Sequence, residues 1–297
     1  MESVMENPSA AAAPAAEGAP GAQGDDARAR DARPGDAQRG WAGPGQRPVP
    51  ALAIEELTWR VGGRAIVDRV GFAAEPGELL AVIGPNGAGK TSLFNLISGL
   101  LRPDEGRIAL GGHDVTRLPT HRRVRHGLGR TFQTSSVFPG LTVAENAQLA
   151  AQVALAGPLG CLAVWRRIGR PARERAAQAL ERCRLGHRAL ACAGSLSHGE
   201  KRKLELAILL AAGPSVLLLD EPMAGMAMEE VPELTELIRE VHRDGATILM
   251  VEHHMEVVLG LAQRVAVLHH GALLACDRPA VVVDDPTVRE AYLGEPL

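Results

Sequence analysis

Gly84-Pro85-Asn86-Gly87-Ala88-Gly89-Lys90-Thr91 is the stretch that decides how this chain is interpreted. It fits the pattern Gly-x-x-x-x-Gly-Lys-Thr and is named the phosphate loop below. The continuous apolar run over residues 79–83 predicts a buried strand before it, and residues 91 to about 100 predict a helix after it. A random chain of this length contains the pattern only about one or two times in a hundred, so an ordinary glycine-rich turn is the weaker interpretation.

The composition of the loop suits phosphate chemistry. Glycines allow backbone N–H groups to turn toward phosphate oxygens, and a helix N-terminus adds positive potential. Lys90 is predicted to reach the β- and γ-phosphates, and the Thr91 hydroxyl to bind Mg²⁺. The candidate nucleotide-binding residues of this segment are Gly84, Pro85, Asn86, Gly87, Ala88, Gly89, Lys90, Thr91 and Ser92.

A second feature is Val216-Leu217-Leu218-Leu219-Asp220-Glu221, an apolar run that ends in two carboxylates. In open α/β sheets ligands bind at the carboxyl ends of the strands, so these side chains should face the same crevice as the phosphate loop. Asp220 suits a carboxylate that holds Mg²⁺ or its water, and Glu221 suits the base that orients an attacking water. Taken alone, an Asp-Glu pair after an apolar run is more often a helix N-cap than a catalytic pair, and the phosphate loop is what favours the catalytic interpretation.

The segment Leu196-Ser197-His198-Gly199-Glu200 offers a hydroxyl and glycine N–H groups at a predicted helix start. Such an arrangement can bind an anion. It is also a capping box, in which Ser197 and Glu200 satisfy each other's backbone N–H groups. From these five residues alone the capping interpretation is preferred.

The signature-like segment lies between the phosphate loop and the Asp220-Glu221 strand, and this order of motifs along the chain resembles that of ATP-binding-cassette (ABC) ATPases. Residues 196–200 are similar to the family's signature segment, residues 130–133 (Arg-Thr-Phe-Gln) to its Q-loop, and residues 251–255 (Val-Glu-His-His-Met) to its switch segment. The resemblance implies that ATP and Mg²⁺ are the cofactors and that Ser197 and Gly199 contact nucleotide. The implied catalytic residues are Glu221, His253, Gln133 and Lys90, and the implied metal ligands are Thr91, Gln133 and Asp220.

Three positions depart from the family pattern. Residues 223–227 occupy the D-loop, where Ala227 replaces the usual Asp or Asn. The aromatic residue that stacks on adenine is replaced by Val61, and Trp59, on the same predicted strand face, is the alternative. His198 stands in place of the first glycine of the signature segment. The residue that contacts adenine therefore stays open.

Composition excludes several other classes of protein. The net charge of −3 gives no field that attracts nucleic acid, and the four cysteines form no Cys-x-x-Cys pair. The most apolar stretch, residues 149–165, contains Gln152 and the break Gly157-Pro158, so it predicts no membrane span. The histidine pairs 253–254 and 269–270 have no spacing typical of a metal site other than the Mg²⁺ site.

The expected fold is α/β: a P-loop NTPase of the ABC cassette type with a mixed RecA-like core, an antiparallel β subdomain and a helical subdomain. Residues 1–50, rich in Ala, Gly and Pro, are expected to be a disordered tail, and residues 51–297 to form the ATP-binding domain. Helices at about 135–195, broken at Gly157-Pro158 and at Gly169-Arg170-Pro171, should form the helical subdomain. A strand pair with a Gly62-Gly63 turn and a C-terminal hairpin and helix at about 264–297 complete the prediction.

Within the family the chain most resembles ATPase subunits of importers for branched-chain and other hydrophobic amino acids. Urea-importer ATPases are similar, and a soluble non-transport ABC ATPase is an alternative of another class. The resemblance implies a peripheral location on the cytoplasmic face of the cell membrane. It also implies integral-membrane permease subunits, a second ABC ATPase (identical or related) and, indirectly, a substrate-binding protein as partners, with no nucleic acid. The segments that carry the resemblance are residues 130–133, 137–138, 141–146, 157–171, 251–253 and 289–295.

Overall fold

The computed structural model describes residues 49–131, 137–156 and 165–292 of the 297-residue chain. Within them the strands are β1 (Leu52–Val61), β2 (Arg64–Ala74), β3 (Leu79–Ile83), β4 (Glu105–Leu110), β5 (His113–Asp114), β6 (Leu128–Arg130), β7 (Val216–Asp220), β8 (Thr247–Val251), β9 (Arg264–His269) and β10 (Ala272–Asp277). The α-helices are α1 (Lys90–Ser98), α2 (Thr120–Arg125), α3 (Val143–Ala156), α4 (Trp165–Arg182), α5 (His198–Ala212), α6 (Val231–Arg243), α7 (Met255–Leu261), α8 (Pro279–Asp284) and α9 (Pro286–Tyr292).

A six-stranded sheet in the order β10-β9-β3-β8-β7-β6 forms the centre of the fold. All its neighbours are parallel except β9 and β10, which form the antiparallel hairpin expected near the C-terminus. Every residue of β3, β7 and β8 is buried, which explains why these strands are continuous apolar runs in the sequence. The strands predicted at residues 79–83, 216–219 and 247–251 are confirmed.

A separate four-stranded antiparallel sheet has the order β2-β1-β4-β5. The predicted Gly62-Gly63 turn joins β1 to β2, and both glycines have positive φ, 57° and 84°. The pairing register shifts between Ile54 and Leu57, where Glu56 adopts φ 45°. This bulge lets Ile54 and Leu57 both face the core although they are three positions apart, which simple alternation would forbid.

Helices α3, α4 and α5 pack on one another through small side chains, and this helical region includes Ala147, Ala151, Ala172 and Ala176 in its core. The predicted break at Gly169-Arg170-Pro171 is wrong, because α4 continues through Pro171. Pro171 is exposed and costs the helix one backbone hydrogen bond, whereas the apolar face that begins at Ala172 is buried. Burial of that face offsets the lost bond.

Some predictions on organisation fall where the structure gives no description. Helix α3 ends at Ala156, and the predicted break at Gly157-Pro158 lies outside the described residues, as does most of the tail predicted at residues 1–50. The domain boundaries therefore stay predictions. Two short helices, α8 and α9, follow the C-terminal hairpin where the sequence suggested one. Among the described residues, no helix has the length and apolarity needed to cross a membrane.

Candidate nucleotide site

The carboxyl ends of three adjacent strands bring most of the predicted site together. Val82 of β3 pairs with Val251 at the end of β8, and Val251 pairs with Asp220 at the end of β7. The phosphate loop follows β3, Glu221 follows β7, and the switch segment continues from β8. These segments form what is named the sheet edge below.

The phosphate loop requires glycine at two positions where the backbone is tightly packed. Gly84 has φ 156°, and a Cβ there would lie 2.2 Å from the carbonyl oxygen of Leu268. Gly89, with φ 99°, is the N-cap of α1, and its Cβ would lie 2.7 Å from the carbonyl oxygen of Ile66. Both the left-handed conformation and the space exclude a side chain, so the loop keeps its backbone close to the sheet.

Lys90 lies inside the curve of this loop and is 6% exposed. Its ammonium group donates to the carbonyl oxygens of Gly84 at 2.5 Å and Pro85 at 3.0 Å. Burial lowers the pKa of Lys90, and the negative charges of Glu221 and Asp220 oppose that shift. A cation that donates to carbonyl oxygens and lies in the field of two carboxylates in this way suits the phosphates of a nucleotide.

Asp220 is almost completely buried, and its Oδ2 accepts a hydrogen bond from Arg130 at 2.8 Å. Burial raises the pKa of Asp220, while Arg130 acts in the opposite direction. The other carboxylate oxygen, Oδ1, has no hydrogen-bond partner among the described residues. An unpartnered carboxylate oxygen is the type of ligand that Mg²⁺ prefers, and the Thr91 hydroxyl, exposed in the first turn of α1, supplies another. The residues present therefore fit the predicted magnesium ion.

Arg130 connects Asp220 to the helix that follows the phosphate loop. Its other terminal nitrogen donates to Asn95 Oδ1 at 2.8 Å and to Ser98 Oγ at 2.7 Å, both on α1. The guanidinium carbon lies 5.8 Å from the centre of the Phe94 ring. The Q-loop pattern in the sequence does not predict this role of Arg130. The available signal was the pair of polar residues at the spacing of one turn on α1.

Glu221 and His253 meet beside these groups. Glu221 Oε1 lies 3.1 Å from His253 Nε2, and the two side chains are 25% and 47% exposed, so water reaches both. The backbone N–H of Glu221 donates to the carbonyl oxygen of Val251 at 3.0 Å. Glu221 also adopts φ 49°, a left-handed conformation that costs a residue with a side chain roughly 1 kcal/mol or more. Strain of this kind is typical of functional positions.

A buried carboxylate that the sequence motifs do not predict lies next to His253. Glu252 is 2% exposed and accepts hydrogen bonds from the backbone N–H groups of Met223 and His253, each at 2.9 Å. Its only sequence signal is a charged residue directly after a continuous apolar strand, a signal that the histidines beside it obscure.

The signature segment forms the predicted capping box at the start of α5. Ser197 Oγ accepts from the N–H of Glu200 at 3.1 Å, and Glu200 Oε2 accepts from the N–H of Ser197 at 2.9 Å. His198 Nε2 lies 3.1 Å from the carbonyl oxygen of Ala224 in the D-loop. No hydrogen bond joins residues 196–200 to the phosphate loop within the described parts of the chain.

The remaining predicted residues differ in how they are placed. Gln133 lies outside the described residues, so its predicted contacts stay a prediction. Ala227 is exposed beyond the turn of the D-loop. Val61 is 52% exposed, whereas Trp59 packs against the apolar core of the smaller sheet and is partly buried. Trp59 thus contributes to packing, and the choice of adenine contact stays open.

Comparison with known proteins shows what this chain is similar to. The family model for ABC transporters matches residues 67–224, and a model for the branched-chain amino acid ATP-binding cassette transporter matches residues 272–296. The high-affinity branched-chain amino acid transport ATP-binding protein BraF of Pseudomonas aeruginosa is 38% identical over 252 residues, which cover 83% of this chain and 98% of BraF. The corresponding protein LivG of Escherichia coli K12 is 39% identical over 251 residues, 83% of this chain and 98% of LivG.

Two further similarities bear on fold and function. The crystal structure of the ADP conformation of MJ1267, an ATP-binding cassette of an ABC transporter, aligns with a TM-score of 0.73 and 31% identity, covering 83% of this chain and 99% of MJ1267. The lipopolysaccharide export system ATP-binding protein LptB of Acidithiobacillus ferridurans is 38% identical over 232 residues, 78% of this chain and 92% of LptB. The predicted fold and family are confirmed: this chain is an ABC transporter ATP-binding protein and belongs to the branched-chain amino acid transporter family.

Proposed function

We propose that this chain hydrolyses ATP to energise an importer for branched-chain or other hydrophobic amino acids. The observation that carries the hydrolytic part is the 3.1 Å contact between Glu221 and His253 at the sheet edge, next to the buried Lys90. The substrate class rests on the C-terminal family match over residues 272–296 and on the similarity to BraF and LivG. An importer of urea or amides is the alternative in the same family.

Each residue of the sheet edge has a distinct task in this proposal. The N–H groups of the phosphate loop and the ammonium group of Lys90 bind and orient the phosphates. Glu221 Oε1 accepts a hydrogen bond from the attacking water, and His253 holds the Glu221 side chain in place and faces the γ-phosphate. Catalysis is therefore positioning and charge stabilisation rather than covalent chemistry.

Mg²⁺, when bound, would neutralise charge on the phosphate oxygens. Asp220 and Thr91 are the residues that would hold it, and Gln133 is a third proposed ligand. Arg130 donates to Oδ2 of Asp220, whereas Oδ1 has no hydrogen-bond partner among the described residues, so Oδ1 is the oxygen that we propose for the ion or its water.

We infer further that two cassettes, identical or related, bind ATP between them on the cytoplasmic face of the membrane. The signature segment supports this, because Ser197 and Gly199 make no hydrogen bond to their own phosphate loop in the described chain and can serve the site of a second cassette. Closure and reopening of such a pair would act on permease subunits, and a substrate-binding protein would deliver the amino acid.

The test is uptake in a strain that lacks this chain. Cells complemented with the wild-type chain or with Lys90→Ala are given radiolabelled leucine, isoleucine, valine and urea separately. We expect amino-acid uptake with the wild type only, together with co-purification of multispanning permease proteins in detergent. Restored urea uptake alone would favour the amide importer. No change in transport, with co-sedimentation on ribosomes or DNA, would overturn the transporter proposal.

A further inference from the structure

Glu252 uses both of its buried carboxylate oxygens. Oε1 accepts from the N–H of Met223 at 2.9 Å, and Oε2 accepts from the N–H of His253 at 2.9 Å. Oε2 also lies 3.0 Å from His254 Nδ1 and 3.3 Å from the N–H of His254. A buried carboxylate is costly unless it is hydrogen bonded, and these donors meet that requirement.

The two backbone segments that Glu252 joins flank the pair formed by Glu221 and His253. Met223 belongs to the turn that begins at Glu221, and the N–H of Ala224 closes this turn by donating to the Glu221 carbonyl oxygen at 3.0 Å. His253 directly follows Glu252. The 3.1 Å contact between the two side chains therefore depends on backbones that one carboxylate holds together.

The same turn is held from its other side by helix α5. His198 Nε2 lies 3.1 Å from the Ala224 carbonyl oxygen, and Arg202 donates to that oxygen at 3.4 Å. A displacement of the signature segment would thus move the turn that contains Met223. Because Glu252 is hydrogen bonded to the N–H groups of both Met223 and His253, His253 would move as well.

We propose that Glu252 is a positioning residue that keeps Glu221 and His253 in contact and links this pair to the start of α5. The proposal rests on the proposed hydrolytic function of that pair. Glu252 is only 2% exposed and acts through backbone N–H groups, so it does not touch the reacting atoms. Glu252→Gln keeps the shape of the side chain but turns one acceptor oxygen into an NH₂ donor, which faces N–H groups. One of the two backbone segments must then move.

The first measurement uses the full-length protein as wild type, Glu252→Gln and Glu256→Gln. Glu256 is exposed on α7, so its substitution removes the same charge without disturbing a buried carboxylate. We expect Glu252→Gln to lower kcat about tenfold, because displacement of a reacting group by about 1 Å costs up to 100-fold. In Glu256→Gln, both the binding of a fluorescent ATP analogue and the thermal midpoint should stay close to their wild-type values. Unchanged kcat in Glu252→Gln would overturn the proposal.

A double-mutant cycle with His253→Ala distinguishes positioning of His253 by Glu252 from a merely structural role of Glu252. If Glu252 acts through His253, Glu252→Gln should lower kcat less than twofold further once His253 is absent. The same fold-loss in both backgrounds would show that Glu252 does not act through His253.

Amide hydrogen exchange provides a readout that needs no hydrolysis. Glu252→Gln should accelerate exchange in the peptides that contain Met223 and His253, and Glu256→Gln should not. Unchanged protection in both peptides would overturn the inference. A wild-type chain that hydrolyses no ATP, with exchange altered as expected, would instead remove the proposed function and leave the structural link in place.

Discussion

At the sheet edge Asp220 pairs with Arg130, 90 positions away, whereas at the start of α5 Ser197 pairs with Glu200, 3 positions away. The side chains of Arg130 and Asp220 are 7% and 0% exposed, respectively, whereas Ser197 and Glu200 lie at an exposed helix end. Removing one partner of a buried ion pair lowers the free energy of unfolding strongly, because the other charge stays buried without a partner. A local helix cap contributes a smaller amount of stability that does not depend on distant residues. The two regions that carry the proposed chemistry should therefore respond differently to substitution.

The largest expected effect comes from replacing the Glu221 carboxylate at the sheet edge by an amide of the same shape. Glu221→Gln should lower kcat roughly a thousandfold, about 4 kcal/mol, because the amide cannot act as a base, whereas ATP affinity should stay within about twofold. Steady-state ATPase assays and equilibrium nucleotide binding measure the two quantities. Glu229→Gln, an exposed substitution beyond the D-loop, is the matched control. Normal turnover in Glu221→Gln would remove Glu221 from the catalytic role.

Next in size is the loss of stability when the buried ion pair is broken. Arg130→Ala leaves the Asp220 carboxylate buried without its partner and should lower the free energy of unfolding by about 3 kcal/mol in urea denaturation. Arg107→Ala breaks a pair with Asp114 whose members are 49% and 52% exposed, and should cost less than about 1 kcal/mol. Equal costs for the two variants would contradict the distinction between buried and exposed pairs.

The stability lost in Arg130→Ala should also depend on pH. This pH effect should be smaller than the loss itself, and its sign follows from the pKa of Asp220. Burial raises the pKa of Asp220 in the folded chain above the unfolded value of about 3.9. A raised acid pKa stabilises the folded state at low pH, and this contribution is lost as pH rises through the folded pKa. Removing Arg130 raises the pKa of Asp220 further, so the loss of unfolding free energy in Arg130→Ala should be smaller at pH 5 than at pH 8. A cost that does not change with pH, or that grows at pH 5, would contradict this cause.

The same contrast explains which features the sequence predicts. The phosphate loop, the buried strands and the capping box of Ser197 depend on residues close together in sequence, and their patterns were sufficient. Arg130 and Glu252 act through partners that only the packing of separate elements brings near, so the weak sequence signals, a polar pair on α1 and a charge after an apolar strand, were not sufficient to predict their roles. The break predicted at Pro171 is wrong for a related reason. Burial of the helix face against α3 and α5, a tertiary effect, outweighs a local breaker.

The smallest expected effect concerns the cap at the start of α5. Ser197→Ala should lower the free energy of unfolding by about 1 kcal/mol, because the N–H of Glu200 loses its acceptor. The chain contains a matched control at α3, where Thr142 Oγ1 accepts from the N–H of Glu145 at 3.1 Å and Glu145 Oε2 accepts from the N–H of Thr142 at 2.8 Å. Thr142→Ala should cost a similar amount in the same urea denaturation, and it should leave ATPase activity unchanged.

Ser197→Asp separates the cap from the proposed contact with nucleotide. Aspartate caps a helix about as well as serine, so stability should stay within about 0.5 kcal/mol of wild type. Its negative charge would face the ATP phosphates if the signature segment serves a second cassette, and ATPase activity should then fall tenfold or more. Like charges brought together in a closed site cost several kcal/mol, whereas an exposed helix end tolerates them. Unchanged activity in Ser197→Asp would reduce Ser197 to a helix cap, and the contrast between the two regions would then be structural only.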